Sequence, residues 1–230
     1  MKTVRRDDWL YCFDLKSAFH HVNIHESHQK YLGFSTVVDG RKKWFKFVAM
    51  PFGYRDASRV ITKVLRVPVH HWRMEGKPVY VYIDDGLGVS ENKKKVEEAV
   101  KTIKRDLAVL GLVTSEAKCQ WEPAQKMVWC GFEWNTKSFQ VKVIEKKVER
   151  IKKAAKLLLE KTRASAKELA AVTGLIILCA PVLGRMARFR TRFSTMWIQE
   201  IADTFGWKGH GVMSEEVLEE LRFWRDNVDK

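Results

Sequence analysis

The sequence of 230 residues predicts an α+β fold in two regions, an antiparallel region of strands and helices over residues 1–143 and an all-helical region over residues 144–230. Apolar residues with the two-residue period of strands alternate with helical patterns in the first region. In the second region the apolar residues recur at helical spacing. The dipeptide Asp39-Gly40 lies between two alternating runs, which is typical of a type I′ hairpin between antiparallel strands.

The composition favours a negatively charged partner. The formal net charge is +14, because 42 lysines and arginines oppose 28 acids, and such an excess favours binding of nucleic acid. The four cysteines form no Cys-x-x-Cys pair, which indicates reduced thiols in an intracellular protein, cytoplasmic or nuclear. We expect no signal peptide, transmembrane segment or membrane partner, since the longest apolar run, residues 175–183, is too short to cross a bilayer.

Two strands that end in acids organise the first region. The apolar run 79–83 is followed by Asp84 and Asp85, and the run 9–13 is followed by Asp14. We interpret the glycine-rich stretch after the first pair as a turn. Side by side, the two strands would bring together three carboxylates, which repel one another unless a cation such as Mg²⁺ neutralises them. A hairpin whose acids face solvent is the simpler alternative, which the matched second strand disfavours.

The segments between and after these strands follow recognisable patterns. Ala57 or Ser58 is predicted to cap a helix, and Pro68 should kink or end it. Ser90 should cap an amphipathic helix that ends at Gly111. Short strands are then predicted near residues 111–114, 127–134 and 139–143.

In the helical region, Ser165 and Glu168 have the spacing of a capping box. Farther on, Arg185, Arg188 and Arg192 would share one face of a single helix, with apolar residues opposite. That helix has two interpretations, which the sequence does not separate. It either follows the phosphates of a nucleic acid or is a plain amphipathic helix.

Five stretches resemble, in the correct order, the motifs of reverse transcriptases, with most likeness to DIRS-type and Gypsy-type retroelements. They are FDLKSAF at 13–19, MPFGY at 50–54, YIDD at 82–85, the segment 111–118, and WCGF at 129–132. The resemblance implies a polymerase palm, which is an antiparallel sheet with helices on one face and a partial fingers hairpin. An all-helical thumb-like region and the start of a connection would follow.

The resemblance also implies roles for individual residues. Asp14, Asp84 and Asp85 would hold two Mg²⁺ ions, for which Mn²⁺ could substitute, and Leu15 would add a backbone carbonyl. Lys118 would protonate the leaving pyrophosphate.

Other residues would contact substrates. Phe19 occupies the position of a steric gate that excludes a ribose 2′-hydroxyl. The remaining expected contacts to primer, template or incoming nucleotide are Phe52, Gly53, Tyr82, Trp129, Phe132, Arg185, Arg188 and Arg192.

The implied function is that of a retrotransposon RNA-directed DNA polymerase, which extends a primer on an RNA or DNA template with dNTPs. The alternative is a domesticated or truncated non-catalytic module that binds nucleic acid, because only thirteen residues precede Asp14, where the family places most of its fingers. The three retained acids favour catalysis. A palm-fold enzyme acting on free nucleotides is disfavoured by the primer-grip stretch 129–132 and the basic helical region. The sequence sets no oligomeric state.

Overall fold

The computed structural model describes residues 4–229, and within them strands and helices alternate before a mainly helical half. The strands are β1 (Trp9–Asp14), β2 (Gly33–Val38), β3 (Arg41–Lys46), β4 (Val79–Tyr82), β5 (Asp85–Ser90), β6 (Gln120–Ala124), β7 (Lys126–Trp129), β8 (Phe132–Asn135), β9 (Gln140–Val143), β10 (Arg163–Ser165) and β11 (His210–Val212). The α-helices are α1 (Glu26–Gln29), α2 (Ala57–Met74), α3 (Lys93–Val109), α4 (Glu145–Leu159), α5 (Ala166–Ile177), α6 (Ala180–Leu183), α7 (Met186–Phe189), α8 (Arg192–Phe205) and α9 (Glu215–Asn227). A short 3₁₀ helix spans Ala18–His21.

The chain forms two compact units, each with its own apolar core. The first unit takes the chain through Cys130 together with Trp134–Gln140, and the second takes Gly131–Glu133 and the chain from Val141 onward. The α+β class predicted from the sequence is confirmed. The division into domains between residues 143 and 144 stays a prediction.

The main sheet of the first unit has the strand order β4-β5-β1-β6, so that β1 is an inner strand. Alternate residues of a strand point to opposite faces. Tyr11, Phe13 and Leu15 are buried in one core with side chains of α2 and α3. Both long helices therefore cover the same face of the sheet, as expected for the predicted palm.

Two glycines of β5 make room for this aromatic core. Gly86 pairs with Phe13, and Gly88 pairs with Tyr11. A Cβ atom at Gly88 would lie 1.9 Å from the Tyr11 ring, and one at Gly86 would lie 2.2 Å from the Phe13 ring. The prediction that this glycine-rich stretch forms a turn is wrong, because the glycines belong to a strand on which aromatic rings lie.

The turn lies two residues earlier. Tyr82 pairs with Asp85, so Ile83 and Asp84 form a two-residue hairpin loop. Ile83 has a φ of 59°, which is unfavourable for a β-branched residue. The acids of the YIDD motif therefore occupy the loop and the first residue of β5, rather than the end of one strand.

The predicted hairpin around Asp39-Gly40 is confirmed. Strands β2 and β3 pair in antiparallel register from Gly33↔Lys46 to Val38↔Arg41. Asp39 and Gly40 both have positive φ, 53° and 71°, as a type I′ turn requires.

Two helices and one short strand differ from the prediction. Helix α2 begins at Ala57, after the N-cap residue Asp56, and continues past Pro68 to Met74. Helix α3 is capped by Asn92, whose side chain accepts a hydrogen bond of 2.8 Å from Lys94 N, and not by Ser90. Near residues 111–114 the structure has only an isolated bridge from Thr114 to Leu15.

In the second unit, one predicted helix start is present, but the arginine-rich segment around residues 185–192 forms two helices instead of one. The capping box of Ser165 and Glu168 is present at the start of α5. The prediction that one helix carries Arg185, Arg188 and Arg192 is wrong, since α7 ends at Phe189 and α8 starts at Arg192. All three arginines are exposed.

A buried carboxylate holds the start of α8 in place. Glu220 of α9 accepts hydrogen bonds from Phe193 N at 3.0 Å, Ser194 N at 2.8 Å and Ser194 Oγ at 2.7 Å. The residue before α8, Thr191, provides no side-chain cap. Glu220 therefore replaces the local cap and places negative charge at the positive end of the helix dipole.

Among the helices of the described chain, none has the length and apolar character needed to cross a membrane.

We expect Glu220→Ala to lower the free energy of unfolding by about 3 kcal/mol, because two backbone N–H groups and a hydroxyl would lose a charged acceptor. Urea unfolding measures the change. Glu219→Ala, an exposed neighbour on the same helix, is the control and should change stability by less than about 0.5 kcal/mol. Equal effects of the two substitutions would contradict the capping role.

The capping box should make stability depend on pH. Hydrogen bonds from Lys161 and then from Ser165 lower the pKa of Glu168 from 4.5 to about 2. The contribution of the ionised carboxylate is therefore complete above about pH 4.5 and is lost as the pH falls toward 2. We expect the difference in unfolding free energy between the native chain and Glu168→Gln to shrink over this range. A difference that does not change from pH 7 to pH 3 would contradict the assignment.

Candidate active site

Three carboxylates lie where β1 ends and β4 turns into β5. Asp14 and Asp85 are directly paired residues of adjacent antiparallel strands, so their side chains project from the same face, opposite to the helices. Asp84 lies in the adjoining loop, and its carbonyl accepts a hydrogen bond of 3.0 Å from Leu15 N. The prediction that the two acidic stretches meet is confirmed, with β5 rather than β4 as the neighbour of β1.

The segment 111–118 brings a cation to this cluster. Val113 O accepts a hydrogen bond of 2.9 Å from Lys16 N, and Ser115 N donates one of 2.8 Å to Asp14 O. These bonds hold the segment beside the end of β1. Lys118 Nζ then lies 3.1 Å from both carboxylate oxygens of Asp14. This ion pair was not predicted from the sequence.

The close packing of the acids disfavours their full ionisation. Burial, followed by a hydrogen bond with Asp14 and repulsion from Asp84, raises the pKa of Asp85 to about 6. Burial is also the main cause that raises the pKa of Asp84. The hydrogen bond to Asp14 raises the pKa of Lys118, which stays an ammonium group. The cluster therefore holds more negative charge than one lysine neutralises.

Two cysteines for which the sequence predicts no role in the site contact the same acids. Asp14 N donates a hydrogen bond to Cys119 Sγ at 3.4 Å, and Cys130 Sγ donates to Asp85 Oδ2 at 3.9 Å. Burial raises the pKa of the Cys119 thiol, which keeps it protonated. The only sequence signal for these contacts is that Cys119 follows Lys118 and that Cys130 lies within the WCGF stretch.

The donor set suits a hard divalent cation in its chemistry. All three acids offer oxygen ligands, and a cation beside them would oppose both the burial and the repulsion that raise the pKa of Asp85. In the described part of the chain, no three His, Cys, Asp or Glu side chains are arranged to hold a metal ion as they stand. Lys118 lies against Asp14 and is the cation that the structure places beside these acids.

The predicted gate residue contacts the second motif. The Phe19 ring lies edge-on to the Phe52 ring, with 5.3 Å between centroids, and His20 contacts the same ring. Phe52 is 65% exposed and precedes Gly53, which has a φ of 83°. The structure thus brings together two of the predicted nucleotide contacts, Phe19 and Phe52, in one half-open aromatic cluster.

The remaining predicted contacts are distributed over both units. Tyr82 is exposed at the end of β4. Trp129 packs against Trp134 within the first unit, with ring centroids 5.9 Å apart. Phe132 belongs to the second unit, where Lys147 Nζ lies 4.4 Å from its ring centroid. The exposed arginines 185, 188 and 192 also belong to the second unit.

Sequence comparisons identify relatives of this chain. The profile of the reverse transcriptase (RNA-dependent DNA polymerase) family matches residues 1–134. The chain is 32% identical over 112 residues to the retrovirus-related Pol polyprotein from transposon gypsy of Drosophila melanogaster, which covers 47% of this chain and 10% of the polyprotein. It is 28% identical over 127 residues to the Gag-Pro-Pol polyprotein of Mason-Pfizer monkey virus, 53% of this chain and 7% of that protein.

A solved structure shows the same fold. The foamy viral protease-reverse transcriptase in complex with an RNA/DNA hybrid superposes with a TM-score of 0.71 at 15% sequence identity, over 98% of this chain and 27% of that chain. The predicted polymerase palm followed by a helical thumb-like region is confirmed. The chain thus spans a small part of the relatives it matches, and they do not separate a DIRS-type from a Gypsy-type origin.

The resemblance seen in the five sequence motifs is therefore confirmed by the family profile, by the polyprotein relatives and by the fold. The chain belongs to the reverse transcriptase (RNA-dependent DNA polymerase) family.

Proposed function

We propose that this chain is an RNA-directed DNA polymerase that adds dNTPs to the 3′ end of a primer paired with an RNA or DNA template. The observation that carries the proposal is the cluster of Asp14, Asp84 and Asp85, formed by direct pairing of β1 with β5. Structures of the foamy viral relative were determined with an RNA/DNA hybrid and with double-stranded DNA. A net charge of +14 also suits such partners.

The three acids are the proposed ligands of two Mg²⁺ ions, with Mn²⁺ as a substitute and the carbonyl of Leu15 as a further ligand. When bound, such ions neutralise the triphosphate and lower the pKa of the attacking hydroxyl. Backbone hydrogen bonds hold the proposed ligand residues in place. Asp14 and Asp85 are anchored in paired strands, and Leu15 N is bonded to the carbonyl of Asp84.

Lys118 is the proposed general acid for the leaving pyrophosphate. Its ammonium group lies at Asp14, and its side chain is 67% exposed, so it can leave the carboxylate for an anionic oxygen. While it is bonded to Asp14, the raised pKa of Lys118 keeps the group protonated, so it would carry a proton when it leaves the carboxylate. In this proposal Lys118 has two successive roles, the first as a counter-ion of Asp14 and the second as a proton donor to the product.

The aromatic and basic residues would position the other substrates. Phe19, held against Phe52, would exclude the 2′-hydroxyl of a ribonucleotide. Phe52 and Gly53 would border the incoming nucleotide. The proposed contacts to the primer and to the phosphates of the duplex are Tyr82, Trp129, Phe132, Arg185, Arg188 and Arg192.

We expect the double substitution Asp84→Asn/Asp85→Asn to reduce primer extension on an RNA template by more than about 100-fold, since loss of an outer-shell partner alone costs 10- to 100-fold. Extension is measured with dNTPs in Mg²⁺ and then in Mn²⁺, and binding of the same primer–template is measured by fluorescence anisotropy. Binding should persist, because the phosphate contacts lie elsewhere.

Asp203→Asn, an exposed acid on α8, is the matched control and should retain extension. Equal extension by the double variant and the native chain would show that these carboxylates are not catalytic. Native chain that binds primer–template without extending it in either metal would instead support the non-catalytic module.

We expect Phe19→Ala to lower the discrimination between dNTPs and rNTPs by about 10-fold or more, because the smaller side chain no longer excludes a 2′-hydroxyl. The measurement is the ratio of kcat/KM for the two nucleotides. Phe205→Ala removes an exposed phenylalanine of the second unit and should leave the ratio unchanged. An unchanged ratio in Phe19→Ala would exclude the gate role.

A further inference from the structure

The β2–β3 ribbon projects large side chains into solvent on both faces. Every residue of β3 is exposed, as are five of the six residues of β2. Soluble proteins rarely leave a strand pair uncovered in this way without a use for it. The pairing register separates its side chains into two sets, because directly opposed residues share a face.

On one face of the ribbon, the aromatic rings pack against one another. Phe34 and Phe45 are directly paired and stacked, with 5.5 Å between ring centroids. Phe34 also lies 4.8 Å from the ring of Phe47. Lys43 belongs to this face and pairs with Asp39, the one acid of the ribbon, at 3.5 Å. The aromatic rings and the acid of this face therefore already have partners.

The opposite face, which we call the Trp44 face, consists of Gly33, Ser35, Val37, Lys42, Trp44 and Lys46. Trp44 is paired with Ser35, which is too small to cover an indole, and the ring is 74% exposed. Lys42 lies two residues before Trp44 and Lys46 lies two residues after it. Each lysine Cα is therefore roughly 7 Å from the Trp44 Cα along the strand. Lys42 Nζ lies 4.7 Å from the ring centroid. No acid belongs to this face.

We propose that the Trp44 face binds single-stranded nucleic acid, with a base stacked on the indole of Trp44 and the adjoining phosphates paired with Lys42 and Lys46. This inference rests on the proposed polymerase function, in which the single strand is unpaired template. An exposed aromatic ring between cations combines the two elements of sequence-tolerant single-strand sites. Lys42 covers part of one ring face only, so the indole keeps an open surface for a base.

A protein partner fits this face less well. Lysine is depleted in the buried cores of protein interfaces, because its ammonium group loses hydration there. Lysines on a strand also disfavour pairing with a strand of a second molecule. Phosphates, in contrast, accept the charge of Lys42 and Lys46 without removing the ammonium groups from water.

The experiment compares a blunt RNA/DNA duplex with duplexes that carry template overhangs of about 4 to 12 nucleotides, a length that spans the usual site size. Fluorescence anisotropy gives the affinity of each for the native chain. Trp44→Ala removes the stacking surface, Trp44→Phe retains a smaller one, and Trp207→Ala is the control, an exposed tryptophan of the second unit. Thermal unfolding verifies that each variant is folded.

We expect the native chain to bind overhang duplexes more tightly than blunt ones, and Trp44→Ala to lose about 5- to 100-fold of affinity for overhang duplexes only. Trp44→Phe should lose less, and Trp207→Ala should behave as the native chain. Lys42→Ala/Lys46→Ala should lower the slope of log affinity against log salt by about 1.4 with overhang duplexes.

The proposal is overturned if overhangs add no affinity, or if Trp44→Ala and Trp207→Ala bind overhang duplexes equally. Either result leaves blunt-duplex binding and primer extension as separate tests of the polymerase function. Concentration-dependent self-association that disappears in Trp44→Ala, without an effect on overhang binding, would assign the face to a protein contact and would also overturn the proposal.

Discussion

Two carboxylates, Asp14 and Asp85, face each other across neighbouring strands, and the first unit is built to keep them there. Like charges opposed in this way are destabilising. The ion pair between Lys118 and Asp14 offsets part of this repulsion, and burial together with the neighbouring acids raises the pKa of Asp85 to about 6. A cation beside these acids would offset the remaining repulsion, which is the physical basis of the proposed two-metal site.

The frame that holds these acids is the aromatic core on the other face of the sheet. Tyr11 and Phe13 lie on Gly88 and Gly86, where any side chain would overlap the rings. A slip of β5 by one residue along β1 would place Tyr11 against Leu87 or Val89 and would turn Asp85 toward the helices, away from Asp14. The packing of the core thus fixes the pairing register of β1 and β5, and this register places Asp14 opposite Asp85. Stability and proposed chemistry depend on the same strand pair.

The second unit uses its acids in the opposite way, as structural acceptors. Glu220 is buried and saturated by three donors at the start of α8, and Glu168 closes the capping box of α5. Arg185, Arg188 and Arg192 of this unit are exposed and take no part in these contacts. The Trp44 face of the first unit shows the same separation of roles, because its neighbour Asp39 pairs with Lys43 on the other face.

The sequence by itself determined the features that depend on neighbouring residues. These are the two apolar runs that are followed by acids, the Asp39-Gly40 hairpin, the capping box at Ser165 and the family motifs. Only the tertiary structure decided that β5 rather than β4 lies beside β1, that Lys118 reaches Asp14, and that Glu220 caps α8 from 26 residues away. The periodicity of a sequence shows which face of a helix or strand is apolar. It does not show which other element covers that face, or which distant side chain accepts hydrogen bonds from the free N–H groups at the start of a helix.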